Sequence, residues 1–358
     1  MAEKKNKNPL GIPETRGKFK ISGTVFGVES ERFYNEKNTR NDKPRRSVNF
    51  GVQYDKEQSC FINMAGMEQK SVYYSKRTKD ASGKDVNNTV EVPWAERMTF
   101  AQEGYSMIGT KIGLEQTVDA NGSVKNVNKI FTPWDACEYV HNHLKDDMPV
   151  FIYGDISYSK YNDVTRKSFE PAQMYREKSA PDFDVDDFEA VGAFQQKLVY
   201  MGIRKESNER AVVSAKIVTR TTIEDAEFVV EHPGLARTLH KHVKPYTCFE
   251  AVGYIREVKN ETSEEKSTSN LSNLDWGDVN PMDTKRESTH IELVITRVLE
   301  NTIDTEVYKE EAMEKAMLAA KSLKNAKKDF GEKDDEAASD WGKGSAINDD
   351  DEEEDGDW

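Results

Sequence analysis

One order of elements occurs twice in this chain, and that doubling constrains the fold more than any single motif. In the first copy, Phe19, Ile21, Val25 and Val28, with Gly23 and Gly27 between them, read as a strand with a bend. A polar loop from about Glu29 to Arg46 follows, and Ser47 to Tyr54 then alternates with Val48, Phe50, Val52 and Tyr54 on one face. Cys60 to Met64 makes a third strand. Residues 68–98 are a polar excursion, Met107 to Gln116 returns to strand character, and Asn121-Gly122 signals a turn. Thr132 then caps a helix that has Pro133 in its first position and Trp134, Cys137, Val140, His141 and Leu144 along one stripe. Two strands close the copy, Val150 to Ser157 with an internal Gly154, and about Lys167 to Tyr175 after a turn at Asn162-Asp163.

From Phe188 the order returns. Leu198 to Ile203, Ala211 to Thr219 and Thr222 to Glu231 are strands, Pro233-Gly234 opens a helix that Pro245 stops, and Thr247 to Glu257 carries Gly253 where the first copy carries Gly154. A polar insertion, Lys259 to Ser288, precedes a last strand, Thr289 to Val298. The repeat lies in element order and not in residue identity. Strands, a helix and two more strands, with a glycine bend in the first strand and in the one after the helix, is the order of a five-stranded Greek-key OB barrel. The expected protein is therefore mostly β with a few helices: a loose basic arm (1–17), an OB-like barrel (18–175), a linker (176–187), a second OB-like barrel (188–300), a helix (301–328) and a disordered acidic tail (329–358). The linker aspartates Asp182, Asp184, Asp186 and Asp187 lack EF-hand spacing and its glycine, so they read as solvated. In the helix, glutamates crowd the start and lysines the end, which suits the helix dipole, and Met313, Ala316, Met317, Ala320 and Leu323 make a weak apolar stripe.

Charge divides the chain unevenly. Asp329 to Trp358 holds fourteen Asp or Glu against two Lys, with an unbroken acidic run from Asp349 to Asp355, while residues 1–328 carry 49 basic against 51 acidic side chains. Such a tail has too little apolar surface to offset the entropy of ordering. A near-neutral body rich in Lys and Arg, tethered to a polyanion, suggests a basic surface whose ligand is another polyanion. No run of 18 apolar residues exists and the first residues lack a signal-peptide core, so a cytoplasmic protein with no membrane partner is expected, in the host cytoplasm if phage-encoded. Cys60, Cys137 and Cys248 form no CxxC pair and read as buried apolar residues; Cys137 and His141 share a helix face but have no second ligand pair, so no metal is expected. His141-Asn142-His143 and His240-Lys241-His242 place their imidazoles on diverging sides of helices. With no P-loop, GxSxG, HExxH or kinase-like motif, no enzyme and no cofactor are expected.

OB barrels bind single strands across one face and through the loops after the first strand and between the fourth and fifth. A cationic groove follows the phosphates and rings stack on bases. The residues that fit are Arg32, Phe33, Tyr34, Lys37, Arg40, Lys43, Arg45 and Arg46 in the first loop. Tyr73, Tyr74, Lys76 and Arg77 lie in the excursion, and Tyr158, Lys160, Tyr161, Arg166 and Lys167 in the fourth-to-fifth hairpin. Phe50, Tyr54 and Phe61 are assigned to the core face, with base stacking as the alternative, and Trp94 and Trp134 to the core. Tyr200, Arg204, Lys205, Arg210, Lys216, Arg220, Tyr254 and Arg256 give a sparser set in the second barrel, for weaker binding or for assembly.

Tandem OB-like units, a basic and aromatic body and a tail that runs from Asp349 to Trp358 resemble the single-stranded DNA-binding proteins of bacteriophages and bacteria, although the tail ends in Trp where Phe is more usual. The resemblance implies a protein that coats exposed single-stranded DNA, or RNA, in replication, recombination or repair. It also implies that the tail, through Asp355, Asp357 and Trp358, recruits replication and recombination proteins and competes with DNA for the groove. The alternatives are an acidic-tailed interaction or scaffold protein and a nucleic-acid-modifying enzyme.

Overall fold

The structure is a computed structural model that describes residues 8–39, 42–80, 83–161, 164–185, 188–259 and 289–329. The chain runs through β1 (Gly17–Phe26), β2 (Tyr34–Asn38), β3 (Pro44–Asp55), β4 (Gln58–Met67), β5 (Ser71–Lys79), β6 (Asp85–Pro93), β7 (Ser106–Met107), β8 (Thr110–Gly113), β9 (Gln116–Val118), β10 (Val124–Asn126), β11 (Lys129–Phe131) and α1 (Pro133–His143), then β12 (Pro149–Tyr161) and β13 (Val164–Arg176). The second copy holds β14 (Val191–Lys205), β15 (Ala211–Val218), β16 (Ile223–Val230), α2 (Pro233–His242), β17 (Thr247–Lys259) and β18 (Thr289–Asp304), and α3 (Glu310–Asp329) follows.

The strands close into two circuits of the same connectivity. In the first, β1 pairs β3, β3 pairs β4, β4 pairs β13 in parallel, β13 pairs β12 and β12 returns to β1. In the second, β14, β15, β16, β18 and β17 do the same, with β16 and β18 as the parallel pair. These are two five-stranded OB-like barrels, and the described residues are mostly β with three α-helices. Alternation lines each interior: Val48, Phe50, Val52 and Tyr54 from β3, and Val213, Ala215 and Ile217 from β15, are all buried. Thr132 caps α1 by accepting from the Asp135 amide, and the imidazole of His232 does the same at the Leu235 amide for α2, each just ahead of a proline in the first turn.

The glycine correspondence has a physical cause. Gly154 lies opposite Phe19 and Gly253 opposite Phe194, each beside a register shift. A Cβ at 154 would meet the Glu170 carbonyl oxygen at 2.0 Å and the Phe19 ring at 2.8 Å; at 253 it would meet the Val294 carbonyl at 1.8 Å and the Phe194 ring at 3.0 Å. Each barrel thus seats the first-strand phenylalanine on a glycine of the strand after the helix.

The two barrels share a sheet. β1 and β14 pair antiparallel with Gly17 opposite Gln196, Phe19 opposite Phe194 and Ile21 opposite Gly192, so equivalent residues face each other across an approximate two-fold axis. One continuous apolar cluster spans both circuits. Gln196 is fully buried at this seam: it accepts from the Tyr158 hydroxyl (3.1 Å) and donates to the carbonyls of Thr15 (3.0 Å) and Lys197 (2.7 Å). Tyr54 donates to the Ile255 carbonyl (2.9 Å), and the Ser59 hydroxyl to Glu257 (2.6 Å). A buried polar group left unpaired costs about 1–3 kcal/mol, so these partners fix how the barrels meet.

Several expectations are corrected. Residues 8–16 of the expected loose arm are packed: Leu10 and Ile12 are buried, and the Thr15 amide donates to the Val218 carbonyl (2.8 Å) while its hydroxyl accepts from the Val218 amide (2.7 Å). The polar loop after β1 contains β2, which pairs with β3, and the excursion is a β5–β6 hairpin with its own small core of Val72, Tyr74, Val92 and Met107. The last helix begins at Glu310 because the Asp304 carboxylate accepts the amides of Glu306 and Val307 and holds that stretch as a turn.

Candidate nucleic-acid interface

In the β2–β3 hairpin, Lys37, Lys43 and Arg45 are exposed, with no ion pair among the described residues, and Arg32 is exposed beside them. Arg40 lies outside the described residues. Phe33 is corrected to core: it is 3% exposed and meets Phe50 edge-on at 6.5 Å, because the loop folds back over the mouth of the barrel. Tyr34 stacks on His141 at 4.2 Å and donates to Glu36 (2.7 Å); burial and that bond push its phenol up to about 12. Arg46 is held by Glu36 (3.0 Å) and Glu138 (2.7 Å) and lies 4.1 Å over the Trp134 ring, so it ties the hairpin to α1.

The excursion supplies less than expected. Tyr74 is buried and donates to the Arg97 carbonyl (2.5 Å), Arg77 pairs with Asp85 (2.9 Å), and Lys76 donates to the Glu103 carbonyl (3.0 Å) above the Tyr105 ring. Tyr73 is half-buried. In the β12–β13 hairpin, Tyr158 sits in the seam and Lys167 donates to the Ile291 carbonyl (2.9 Å), where burial lowers its pKa. Lys160 and Arg166 are exposed near the tip, and Tyr161 ends β12. The rings at 33, 74 and 158 read as surface rings because basic residues flank them in sequence, but each faces inward. Trp134 is buried, as expected, while Trp94 is half-buried under the Arg97 guanidinium, which Asp135 grips at 2.8 Å.

The ring platform lies elsewhere. Phe50 and Tyr54 are core, but Phe61 is 51% exposed on the outer face of β4. Phe26 of β1 meets it at 5.7 Å, nearly edge-on, and lies across Gly51 of β3, where a Cβ would fall 2.1 Å from the ring tip. Phe26, Gly51 and Phe61 are register partners and form one row across three strands. Asn49 pairs with Asn63 in the next outward row, then Ser47 with Ala65, and Arg45 and Lys37 pair beyond them. From Gly51 to Arg45 the strip runs about 20 Å, at roughly 3.3 Å per residue. The signal was present in Cys60-Phe61-Ile62-Asn63-Met64: three apolar residues at alternate positions claim the inside and force Phe61 out.

Among the described residues the second barrel offers no counterpart. With Phe19 superposed on Phe194, Met201 falls in the place of Phe26 by residue count, at a register shift that sets Gly202 opposite Ser214, while Ser214 takes the place of Gly51 and Glu227 that of Phe61. Glu227 is bound by Arg204 (2.5 Å) and Asp225 by Lys216 (2.5 Å). Arg210 and Arg256 both grip Glu292 (2.6 and 2.8 Å); burial alone would raise this carboxyl, but the two guanidiniums hold it at about 2. Lys205 donates to Asn208, Tyr254 to Glu231, and Tyr200 is buried.

The profile of the YorF family matches residues 82–332. The chain belongs to the YorF family. No curated protein matches it in sequence. Two crystal structures of the single-stranded DNA-binding protein from Thermus aquaticus, a deletion mutant and the wild type, superpose with TM-scores of 0.36 at 9% and 8% identity, over 80% of this chain and 94% and 93% of theirs. A replication protein A heterotrimer bound to single-stranded DNA gives a TM-score of 0.21 at 9% identity over 85% of this chain and 98% of that one. The architecture of this YorF-family chain rests on its own strand registers and not on those superpositions. The three cysteines are buried and free, their thiols pushed up by burial. Among the described residues no group of three His, Cys, Asp or Glu gathers as a metal site, and no helix is long and apolar enough to cross a membrane. The tail residues Asp355, Asp357 and Trp358 lie outside the described residues.

Proposed function

We propose that this YorF-family protein binds single-stranded DNA without sequence preference and coats exposed strands in replication, recombination or repair. The observation that carries the reading is the open strip on the first barrel: two rings at one end, amides between, and at the other exposed cations with no ion pair among the described residues. Every base has a π-face, so a ring platform stacks any sequence, and the cations of a neighbouring hairpin follow the phosphates. Asn49 and Asn63 offer neutral donors along the way without committing to one base edge. The acidic tail competes with DNA for the cations and presents Asp355, Asp357 and Trp358 to partner proteins, a reading supported by its fourteen carboxylates in thirty residues. The chain works as a binding protein and not as an enzyme.

The test is binding to oligo(dT) as salt is raised. Affinity falls linearly on a log–log plot, with a slope of about −0.7 for each phosphate neutralised. A chain ending at Lys328 binds more tightly than the full chain, most of all at low salt. Equal or weaker binding after truncation removes the competition role; indifference to oligo(dT) at every salt concentration removes the DNA reading and favours a scaffold.

A further inference from the structure

The face that is open in the first barrel is covered in the second. By the same register equivalence, Thr24 of β1 corresponds to Val199 of β14 and Phe26 to Met201. Val199 is fully buried although it points away from the barrel interior, for it belongs with Leu10, Ile12, Val218, Tyr308, Met313 and Ala316 to a separate apolar cluster. That cluster is the contact between the outer face of β14 and β15 and a cover made of α3 and residues 8–16. Met201 and Ile223 pack at its margin. Where the strands emerge from under the cover, the position of Phe61 is taken by Glu227, and a carboxylate there repels phosphate.

The two-fold relation sharpens the point. A nucleotide chain has direction, and equivalent faces related by a two-fold axis present their tracks in opposite senses, so one strand would have to reverse to fill both.

We propose that only the first barrel holds the nucleic acid, and that the second is a closed structural half. Each chain then engages one short stretch of single-stranded DNA, in one polarity, on the strip between Phe26/Phe61 and Lys37/Arg45. The inference rests on the DNA-binding reading above. α3 and residues 8–16 close the second face in the chain as it stands, without waiting for a ligand.

The experiment is fluorescence anisotropy of the full-length protein with dT oligomers from about 4 to 40 nucleotides, repeated with Phe61→Ala and Glu227→Ala. A single OB barrel covers about 4–16 nucleotides. Affinity should rise to one plateau inside that range, and longer oligomers should gain only in proportion to the number of registers. Phe61→Ala should weaken short and long oligomers by the same factor, roughly 10-fold, since a stacked base is lost once; Glu227→Ala should leave both unchanged. Phe61 is half exposed, so its removal leaves the core intact. A second steep gain near twice the first length, or a much smaller Phe61→Ala effect on long oligomers than on short ones, overturns the inference and leaves DNA binding standing. No binding at any length overturns both.

Discussion

The two barrels share connectivity, a phenylalanine seated on a glycine, a proline-started helix and a seam built of equivalent strands, yet their outer faces differ in kind. The first shows rings and amides bounded by exposed cations that have no ion pair among the described residues. The second shows carboxylates already bound by arginine and lysine, and beside them an apolar area under α3. Since the interiors are built on one plan, the difference teaches that the barrel is a scaffold and that function follows from what its outward positions carry.

The largest expected effect tests the shared plan. Gly154→Ala and Gly253→Ala each drive a methyl into a backbone carbonyl and a phenylalanine ring, and each should destabilise the protein by about 3 kcal/mol, measured by chemical denaturation. If one is tolerated and the other is not, the barrels do not share that constraint.

A smaller effect belongs to the second barrel alone. Glu292→Ala leaves Arg210 and Arg256 facing each other with no anion between them and should cost about 2 kcal/mol. Its pH dependence has a fixed sign. The carboxyl sits at about 2 in the folded protein against an ordinary 4.5, so its contribution is fully present above about pH 4.5 and is lost as pH falls toward 2. Glu292→Gln should flatten the acid limb of a stability profile in that window; an unchanged limb would show that the ion cluster does not hold the second barrel.

The smallest effect separates the two sets of cations. Lys37→Ala and Arg45→Ala should each reduce the salt slope of DNA binding by about 0.7, while Arg204→Ala, whose charge already serves Glu227, should leave it unchanged. A slope that responds equally to all three would erase the distinction between the faces.

Much of this was legible in the sequence. Alternation in Ser47 to Tyr54 is a local property, and so are the Thr132-Pro133 start of α1 and the pairing of Gly154 with Gly253 by position. Phe33, Tyr74 and Tyr158 were misread because a ring between basic residues has no local mark telling a surface platform from a buried plug; that depends on what the loop folds against. Phe61 was misplaced for the opposite reason: its strand was recognised, but the parity of its neighbours was not followed to the outward side. Arg46 and Arg77 look like free cations until the fold brings Glu138 and Asp85 to them.

By itself the sequence determined the period of its hydrophobic positions, its turns, its helix starts and its repeated order, because these are set by neighbours within a few residues and by the two periodicities of the backbone. Only the tertiary structure decided which charges are neutralised, which rings face solvent and which barrel face stays open. Those outcomes depend on partners more than 80 residues away, such as Thr15 with Gln196, Arg46 with Glu138, and Leu10 beneath α3, that meet only when strands close into barrels and the barrels share a sheet.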